Sequence, residues 1–372
     1  MPDETAITAP PQLLRALDTW RSMIRGARRT IDIAQFYVFS EPGRELESVT
    51  GDLRAAGERG VRIRFLVSEA FIKNDTITLD VLRGIPRLEL RTLDLEHRTG
   101  GELHAKYWIV DGDTAFVGSQ NYDWKSLTEI QEMGVLLHDR TIGRHLGRIY
   151  DADWRMAGIP VKPHGDTSVA RSHARSKAAT TRARSGDVEL VASPMELNPS
   201  GIRDALSALQ ELIGSADTSI SIQLLSYTPV TNRTKYWPAV DGALRAAAVR
   251  GVKVRLLVSH WNTAVPGVDH LKSLSLIPNI EVRIVTFPEH STGFIPFARV
   301  IHSKYMIVDS GTLWLGTSNW SRDYFTEMRN VELIFRRPAL ALEAVNFFDI
   351  MWNSPHTAPI DVNKSYPKPR RG

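Results

Sequence analysis

Residues 104–121 read His104-Ala-Lys106-Tyr-Trp-Ile-Val-Asp111-Gly-Asp-Thr-Ala-Phe-Val-Gly118-Ser119-Gln-Asn121. The pattern returns in residues 302–319, which read His302-Ser-Lys304-Tyr-Met-Ile-Val-Asp309-Ser-Gly-Thr-Leu-Trp-Leu-Gly316-Thr317-Ser-Asn319. Both copies place Asp seven, Gly fourteen and Asn seventeen residues after the His. One such match could arise by chance, but two with identical internal spacing predict a duplicated unit.

The duplication extends beyond these two stretches. The separation between matching segments grows only from 189 residues at the first pair to 198 at the motif, so the halves differ by small loop insertions. The further pairs are Thr30–Ala34 with Ser219–Gln223, Gly60–Ser68 with Gly251–Ser259, and Leu88–Arg91 with Ile280–Arg283. A conserved order over this length indicates duplication of a whole domain rather than a short structural repeat.

Each half alternates short apolar runs with charged stretches of helical spacing, which predicts strands alternating with helices. Strands are predicted at 30–37, 62–68, 87–93, 219–226, 252–258 and 280–286. Helices are predicted at 11–26, 44–59, 140–157, 203–214, 236–250 and 338–351. This order predicts an α/β fold of two homologous lobes, each a mixed β-sheet flanked by helices.

The stretch at 162–187 has little apolar bulk and many Arg, Ser and Ala residues. It predicts a basic flexible linker, and its charge also fits an arm that contacts nucleic acid. The predicted organisation is therefore an N-terminal lobe at 1–161, this linker, a C-terminal lobe at 188–360 and a frayed tail at 361–372.

The 372-residue chain has a formal net charge of +4 and no cysteine. The mild positive charge permits a polyanionic partner without requiring one. The lack of cysteine excludes disulfides, thiolate chemistry and Cys-ligated metal sites.

No run approaches the ~18 apolar residues of a membrane span, and the first residues show no signal peptide. A cytoplasmic or exported protein is the expectation.

The repeated motif predicts a hairpin that gathers polar side chains at one end of each sheet. Side chains alternate along a strand, so His104 and Lys106 point to the same face. After the turn, Ser119 and Asn121 follow the returning strand, and Thr317 replaces the Ser in the second copy. The two motif Asp residues lie at the turn and are interpreted mainly as structural; they are Asp111 and Asp309.

These residue types suit an anionic phosphodiester. Lys106 and Lys304 supply fixed positive charge, and Asn121 and Asn319 donate amide hydrogens to nonbridging oxygens. A neutral imidazole can attack phosphorus and form a covalent phosphohistidine. A second, protonated imidazole can give its proton to the leaving oxygen and later take one from water. The two motif histidines are therefore predicted to share one site as a coupled pair, one charged and one neutral.

The spacing matches the HxKxxxxD…GSxN signature of the phospholipase D superfamily, and the chain is identified as a member. Flanking segments resemble one branch, the animal lysosomal phospholipase-D-like 5′-exonucleases and their poxvirus relatives. Those segments are Asn121–Gly134, Tyr236–Asp241, Gly251–Leu257 and Gly316–Ser321. The resemblance runs from about residue 13 to 356 without the linker.

The resemblance implies pseudo-twofold related lobes with one shared active site, no metal or other cofactor, and digestion of single-stranded DNA or RNA from a 5′ end. It implies that His104 is the nucleophile and His302 the general acid, an assignment that the residues alone leave open. Relatives also place a carboxylate eleven residues after the motif Asn to orient a histidine, and Glu132 matches. In the second half Asn330 has that position and Glu332 follows two residues later, so either could serve.

A single-stranded nucleic acid substrate is favoured by the net charge and by aromatic residues beside the motifs. Trp124 and Trp320 are the candidates for base stacking, with core packing as the alternative for both.

The alternative function is a phospholipase D or a phosphatidyltransferase similar to cardiolipin synthase, although no amphipathic membrane-binding helix is visible. A degenerate binding module is disfavoured because both motifs are intact. A monomer suffices because one chain carries both half-sites, and the oligomeric state stays open.

Overall fold

The computed structural model describes residues 1–158, 183–231 and 234–372. Two lobes follow one another along the chain, and each is built on a mixed sheet flanked by helices. The predicted α/β fold of two homologous lobes is confirmed.

The first lobe forms a six-stranded sheet and a separate two-stranded pair. Its strands are β1 Thr30–Gln35, β2 Val38–Phe39, β3 Arg62–Ser68, β4 Leu88–Leu93, β5 Tyr107–Val110, β6 Thr114–Gly118, β7 Tyr122–Asp123 and β8 Gly134–His138. Its helices are α1 Ala16–Gly26, α2 Leu46–Glu58, α3 Thr76–Arg83, α4 Glu96–Thr99, α5 Trp124–Thr128 and α6 Arg140–Ala157. The main sheet has the order β4-β3-β1-β5-β6-β8.

The second lobe repeats this plan in a larger sheet. Its strands are β9 Arg184–Ser185, β10 Val188–Ser193, β11 Arg203–Asp204, β12 Ser219–Leu224, β13 Val230–Thr231, β14 Lys235–Tyr236, β15 Lys253–Ser259, β16 Ile280–Val285, β17 Lys304–Val308, β18 Thr312–Gly316, β19 Asn330–Phe335 and β20 Thr357–Pro359. Its helices are α7 Ala205–Gly214, α8 Pro238–Val249, α9 Gly267–Ser275, α10 Arg322–Thr326 and α11 Pro338–Trp352. The order β16-β15-β12-β17-β18-β19 matches that of the first lobe.

Strand pairing is the same in both lobes. β1 runs parallel to β3 and antiparallel to β5, as β12 does to β15 and β17. The predicted turn between the two motif strands is present in each lobe, with Asp111 and Gly112 at φ +54° and +78° and Asp309 and Ser310 at φ +50° and +53°. Two successive left-handed residues give a hairpin turn whose twist suits the flanking strands.

The two lobes share a hydrophobic core. Its buried side chains come from the central strands and from α6 and α11, and include Tyr107, Leu146, Tyr305 and Phe347. Leu146 belongs to the apolar stripe of α6, whose spacing of three and four residues is what one buried helical face requires. Because this core contains residues from both halves, each sheet buries one face against the other lobe.

Some predicted boundaries need correction. Residues 162–182 of the predicted linker lie outside the described residues, but Arg184 and Ser185 form β9, which pairs with β10. The tail is not frayed: Arg371 Nη2 donates to the Trp261 carbonyl at 2.8 Å, and Pro367 O accepts from Thr263.

The short helices α3 and α9 were not predicted, since each covers fewer than three full turns. Within the described residues, no helix combines the length and apolarity that crossing a bilayer requires.

Candidate active site

The two motif histidines are held by the opposite lobe through the backbone. His104 N donates to Arg329 O at 2.9 Å, and His302 N donates to Gln131 O at 2.7 Å. Return bonds run from Arg329 N to Glu102 O and from Gln131 N to the carbonyl of residue 300, each at 2.9 Å. These two short parallel backbone pairings bring the histidine-containing segments of both lobes to the boundary between the lobes.

Asn330 fixes the ring of His104 from the other lobe. Its Oδ1 lies 3.0 Å from His104 Nδ1 and also accepts the Thr317 hydroxyl at 2.9 Å. Its Nδ2 donates to the Tyr324 carbonyl at 2.9 Å, which fixes the direction of the amide. The Nδ1 atom of His104 must therefore carry the proton, which leaves Nε2 with a free electron pair in the neutral ring.

Glu132 fixes the ring of His302 in the same cross-lobe manner. Its two carboxylate oxygens lie 2.8 and 2.9 Å from His302 Nδ1. Burial opposes ionisation of Glu132, but His302, Lys304 and a hydrogen bond from Ser119 hold the pKa of this carboxyl below its usual value. His302 therefore has an anionic partner where His104 has a neutral one.

The motif lysines and asparagines are buried beside the histidines, with exposed fractions of 3% or less; they are Lys106, Lys304, Asn121 and Asn319. Lys106 Nζ donates to the His104 carbonyl. Lys304 Nζ and Asn121 Oδ1 are buried without a hydrogen-bond partner among the described residues. Burying an amino group without a hydrogen-bond partner costs free energy, so its presence here is typical of a site that binds an anion.

Burial and neighbouring charges shift the pKa values of both motif histidines and both motif lysines. Burial, then the charges of Lys106 and Lys304, lower the pKa of His104 well below 6.5. Burial lowers the pKa of His302 to about 4 against the opposing effect of Glu132, and burial lowers the pKa of Lys304 to about 7. The predicted pair of one charged and one neutral histidine therefore requires an added negative charge. A bound phosphodiester supplies one, and raises the pKa of each neighbouring cation.

Asp111 and Asp309 lie away from these groups and anchor the sheets. Asp111 accepts the backbone N–H groups of residues 28, 29 and 30 at 2.8–2.9 Å. Asp309 does the same for residues 217, 218 and 219. Each carboxylate thus fixes the start of the central strand, β1 or β12, as the structural interpretation expected.

The predicted base-stacking role of Trp124 and Trp320 is wrong. The two rings are 2% and 1% exposed and belong to the outer cores of their lobes. The aromatic rings that do contact the site are Phe36 and Tyr324, whose centroids lie 4.7 and 4.9 Å from that of His104. Both rings are buried because their side chains point into the core after each motif. A single sequence does not show in which direction a side chain points.

Glu332 does not orient a histidine. It is fully buried and accepts a hydrogen bond from Ser318. The partner of His104 is Asn330, whose spacing from Asn319 equals that of Glu132 from Asn121. The sequence signal for Asn330 was this shared spacing of eleven residues from the motif Asn. The side chain at that position contacts the histidine even though it is an amide and not a carboxylate.

Comparisons with known proteins show the family to which the chain belongs. A family model described as "PLD3/4, PLD-like domain" matches residues 8–288. "5'-3' exonuclease PLD3" of Bos taurus is 31% identical over 388 residues, which is 96% of this chain and 78% of that protein. The chain belongs to this PLD3/4 branch of the phospholipase D superfamily.

Two further similarities cover nearly the whole chain. "Phospholipase D Y" of Dictyostelium discoideum is 32% identical over 386 residues, 92% of this chain and 87% of that protein. A crystal structure of phosphatidylserine synthase from Haemophilus influenzae Rd KW20 covers 92% of the chain, and the chain covers 85% of it, with a TM-score of 0.64 and 12% identity. That likeness shows the fold alone. As a member of the PLD3/4 branch, the protein is a phosphodiester-hydrolysing enzyme.

Proposed function

We propose that the protein removes nucleotides from the 5′ end of single-stranded DNA or RNA, without a metal, through a phosphohistidine intermediate. One observation carries the proposal: each motif histidine is held at Nδ1 by the opposite lobe, and the two partners differ in charge. Both rings therefore have Nε2 free for chemistry, and each is suited to a different step.

His104 is the nucleophile in this mechanism. Its amide partner, Asn330, fixes the neutral tautomer whose Nε2 can attack phosphorus, and burial keeps the ring neutral. Phe36 and Tyr324 hold the ring from two sides, and no comparable ring pair contacts His302 among the described residues. The attack forms an Nε2–P bond as the bond between phosphorus and the 5′ oxygen breaks.

His302 is the general acid in this mechanism. Glu132 stabilises its protonated form, which becomes favoured once the anionic substrate offsets the two lysines. Its Nε2 proton passes to the departing 5′ oxygen. The neutral ring then takes a proton from water, whose oxygen attacks phosphorus, breaks the Nε2–P bond and releases a 3′-phosphate.

Lys106 and Lys304 lie where negative charge on the nonbridging oxygens would be neutralised, and Asn121 and Asn319 can donate to the same oxygens. Fixed donors in a buried site stabilise a transition state more strongly than in water. These side chains supply the positive charge that other phosphodiesterases take from bound metal ions.

Nucleic acid is favoured as substrate by the PLD3 relatives, whose name states 5'-3' exonuclease activity. The rings at the site add support, since half-buried Phe36, Phe71 and Tyr324 offer faces on which a base can stack. A phospholipid substrate is the second candidate, because a relative at 32% identity bears the name phospholipase D.

The decisive experiment compares two substrates in EDTA. Purified protein is incubated with a 5′-hydroxyl single-stranded oligonucleotide and, separately, with phosphatidylcholine vesicles. Stepwise shortening from the 5′ end, with 3′-phosphorylated products, is expected. Choline release with an intact oligonucleotide would favour the phospholipase, and activity only after metal addition would overturn the mechanism.

A second measurement assigns the histidines. Rapid acid-free quenching followed by mass spectrometry is expected to show a nucleotide joined through its 3′-phosphate to His104 and none on His302. His104→Ala and His302→Ala are each expected to lose at least about 10³-fold in kcat. His138→Ala, which alters an exposed ring at the far end of β8, serves as the matched control. Phosphorylation of His302 would reverse the two roles and leave the phosphodiesterase itself intact.

A further inference from the structure

Glu332 is a fully buried acid that the mechanism does not use. It lies on β19 opposite Gly316 of β18, directly beneath the turn that leads to Asn319. Its carboxyl group accepts hydrogen bonds from the hydroxyl and the backbone N–H of Ser318. The side chain thus holds the residue that lies between Thr317 and Asn319.

The first lobe fills the same place with a neutral side chain. There, Gly134 occupies the strand position equivalent to Glu332, and Gln120 occupies the turn position equivalent to Ser318. The Gln120 amide lies against Gly118 and Gly134, where an added methyl group at either glycine would meet it. In the second lobe a methyl group at Gly316 would overlap Glu332. In each lobe, one long polar side chain therefore fills the space beneath the turn, which we call the niche. In the first lobe that side chain belongs to the turn residue Gln120, and in the second lobe it belongs to the strand residue Glu332.

In the part of the chain that the structure describes, no free cation faces the Glu332 carboxyl group. Arg329 is already paired with buried Asp153 at 3.0 Å, and Asp204 adds a repelling negative charge. On the neighbouring strand β10, Glu189 is occupied by Arg203 and Arg336. One carboxyl oxygen of Glu332 has no hydrogen-bond partner within residues 1–158, 183–231 and 234–372. An unpaired carboxylate in such a place is strongly disfavoured against the neutral acid.

We propose that Glu332 is held as a neutral carboxylic acid, equivalent to the Gln120 amide, and that it positions the turn carrying Asn319. Burial raises the pKa of Glu332 to about 8, against the hydrogen bonds from Ser318. Ionisation above that pH would place a bare negative charge under the turn and shift Asn319 away from the nonbridging oxygen. Glu332 is a positioning residue, and the inference does not depend on whether the substrate is nucleic acid or lipid.

The central test is Glu332→Gln, which imitates the neutral acid and cannot ionise. Because the folded-state pKa lies above the unfolded value of about 4.3, the stability of the wild type falls as pH rises from there to about 8. The variant lacks this loss, so its Tm is expected to exceed the wild-type Tm by an amount that grows over this range and is constant above it. A Tm difference that does not change with pH would overturn the proposal.

The ratio of kcat for Glu332→Gln to wild-type kcat isolates this position, since the histidines and lysines titrate in both proteins. The ratio is expected to be close to one at pH 6 and to rise about tenfold by pH 9, because little of the neutral acid is left there. Glu332→Leu, which cannot accept the Ser318 bonds, is expected to lower kcat more than it changes KM. A fully active Leu variant, or a Gln variant that fails to fold, would contradict the positioning role.

Gln120→Glu is the matched variant in the first lobe. It places an acid in the equivalent niche and is expected to introduce the same loss of Tm with rising pH. If this variant shows no pH-dependent change while Glu332→Gln does, the equivalence of the two niches is refuted.

Discussion

At the scale of single residues, two side chains make the two halves of the site unequal. Glu132 and Asn330 occupy equivalent positions in the duplicated lobes, and each contacts the histidine of the other lobe at 2.8–3.0 Å. A carboxylate raises the pKa of an imidazole, whereas an amide fixes its tautomer without adding charge. The duplicated lobes therefore differ at one equivalent position, which gives the two histidines partners of different charge. In the proposed mechanism this difference makes one histidine the acid and the other the nucleophile.

Exchange of these partner types gives the prediction at this scale. Glu132→Gln removes the anion that favours protonated His302, so the alkaline limb of the kcat profile is expected to move to lower pH and kcat to fall by about tenfold or more. Asn330→Asp adds an anion beside His104, so the acid limb is expected to move to higher pH. Profiles of kcat from pH 4 to pH 9 would check both shifts. Movement of the opposite limb in each variant would reverse the assignment of nucleophile and acid.

At the scale of elements, the motif Asp residues act on the central strands. Partial burial works against ionisation, but the backbone hydrogen bonds outweigh it and hold the pKa of Asp111 and of Asp309 below the usual value. The stabilisation is full above the unfolded-state pKa of about 3.9 and is lost as pH falls through the lower folded-state value.

Asp111→Ala and Asp309→Ala are each expected to reduce the free energy of unfolding by about 1–2 kcal/mol at pH 7 and to leave kcat within about twofold. Urea unfolding and steady-state assays of the same preparations measure both quantities. Asp113→Ala, in the same turn as Asp111 but without these bonds, is the control and should stay close to wild type. Loss of kcat without loss of stability would assign the Asp a direct catalytic part.

At the scale of the whole molecule, the buried ion pair of Arg329 and Asp153 joins the lobes beside the candidate active site. Arg329 and Asp153 are fully buried, 3.0 Å apart, and Arg329 also donates to the carbonyls of Ser193 and Leu197. The backbone of Arg329 forms the bridge to His104. The same residue therefore connects α6, the second sheet and the segment that contains His104.

Arg329→Met leaves Asp153 buried without a partner, and a loss of about 3–5 kcal/mol in the free energy of unfolding is expected. Arg336→Met removes a partly exposed partner of Glu189 nearby and should cost less than about 1 kcal/mol. Denaturant titration compares them. Equal effects would show that the Arg329 pair contributes no more than a surface contact.

The sequence alone determined the duplicated α/β fold and the motif side chains. These features follow from local properties of the chain: apolar spacing, turn residues and an identical motif spacing. Local properties can be recognised without knowing which residues meet in the folded protein. All six predicted strands are present, and the positions of Lys106, Asn121 and their equivalents follow from the hairpin.

Only the tertiary structure decided what each side chain meets. Trp124 and Trp320 are buried because the chain reverses toward the outer cores, and Asn330 rather than Glu332 meets His104 because strand register across the lobe boundary places it there. The Asn330–His104 contact joins residues 226 positions apart and the Glu132–His302 contact joins residues 170 positions apart, so no local pattern encodes them. The free energy of a long-range contact depends on its partners and on exclusion of water, and both exist only once the lobes have packed together.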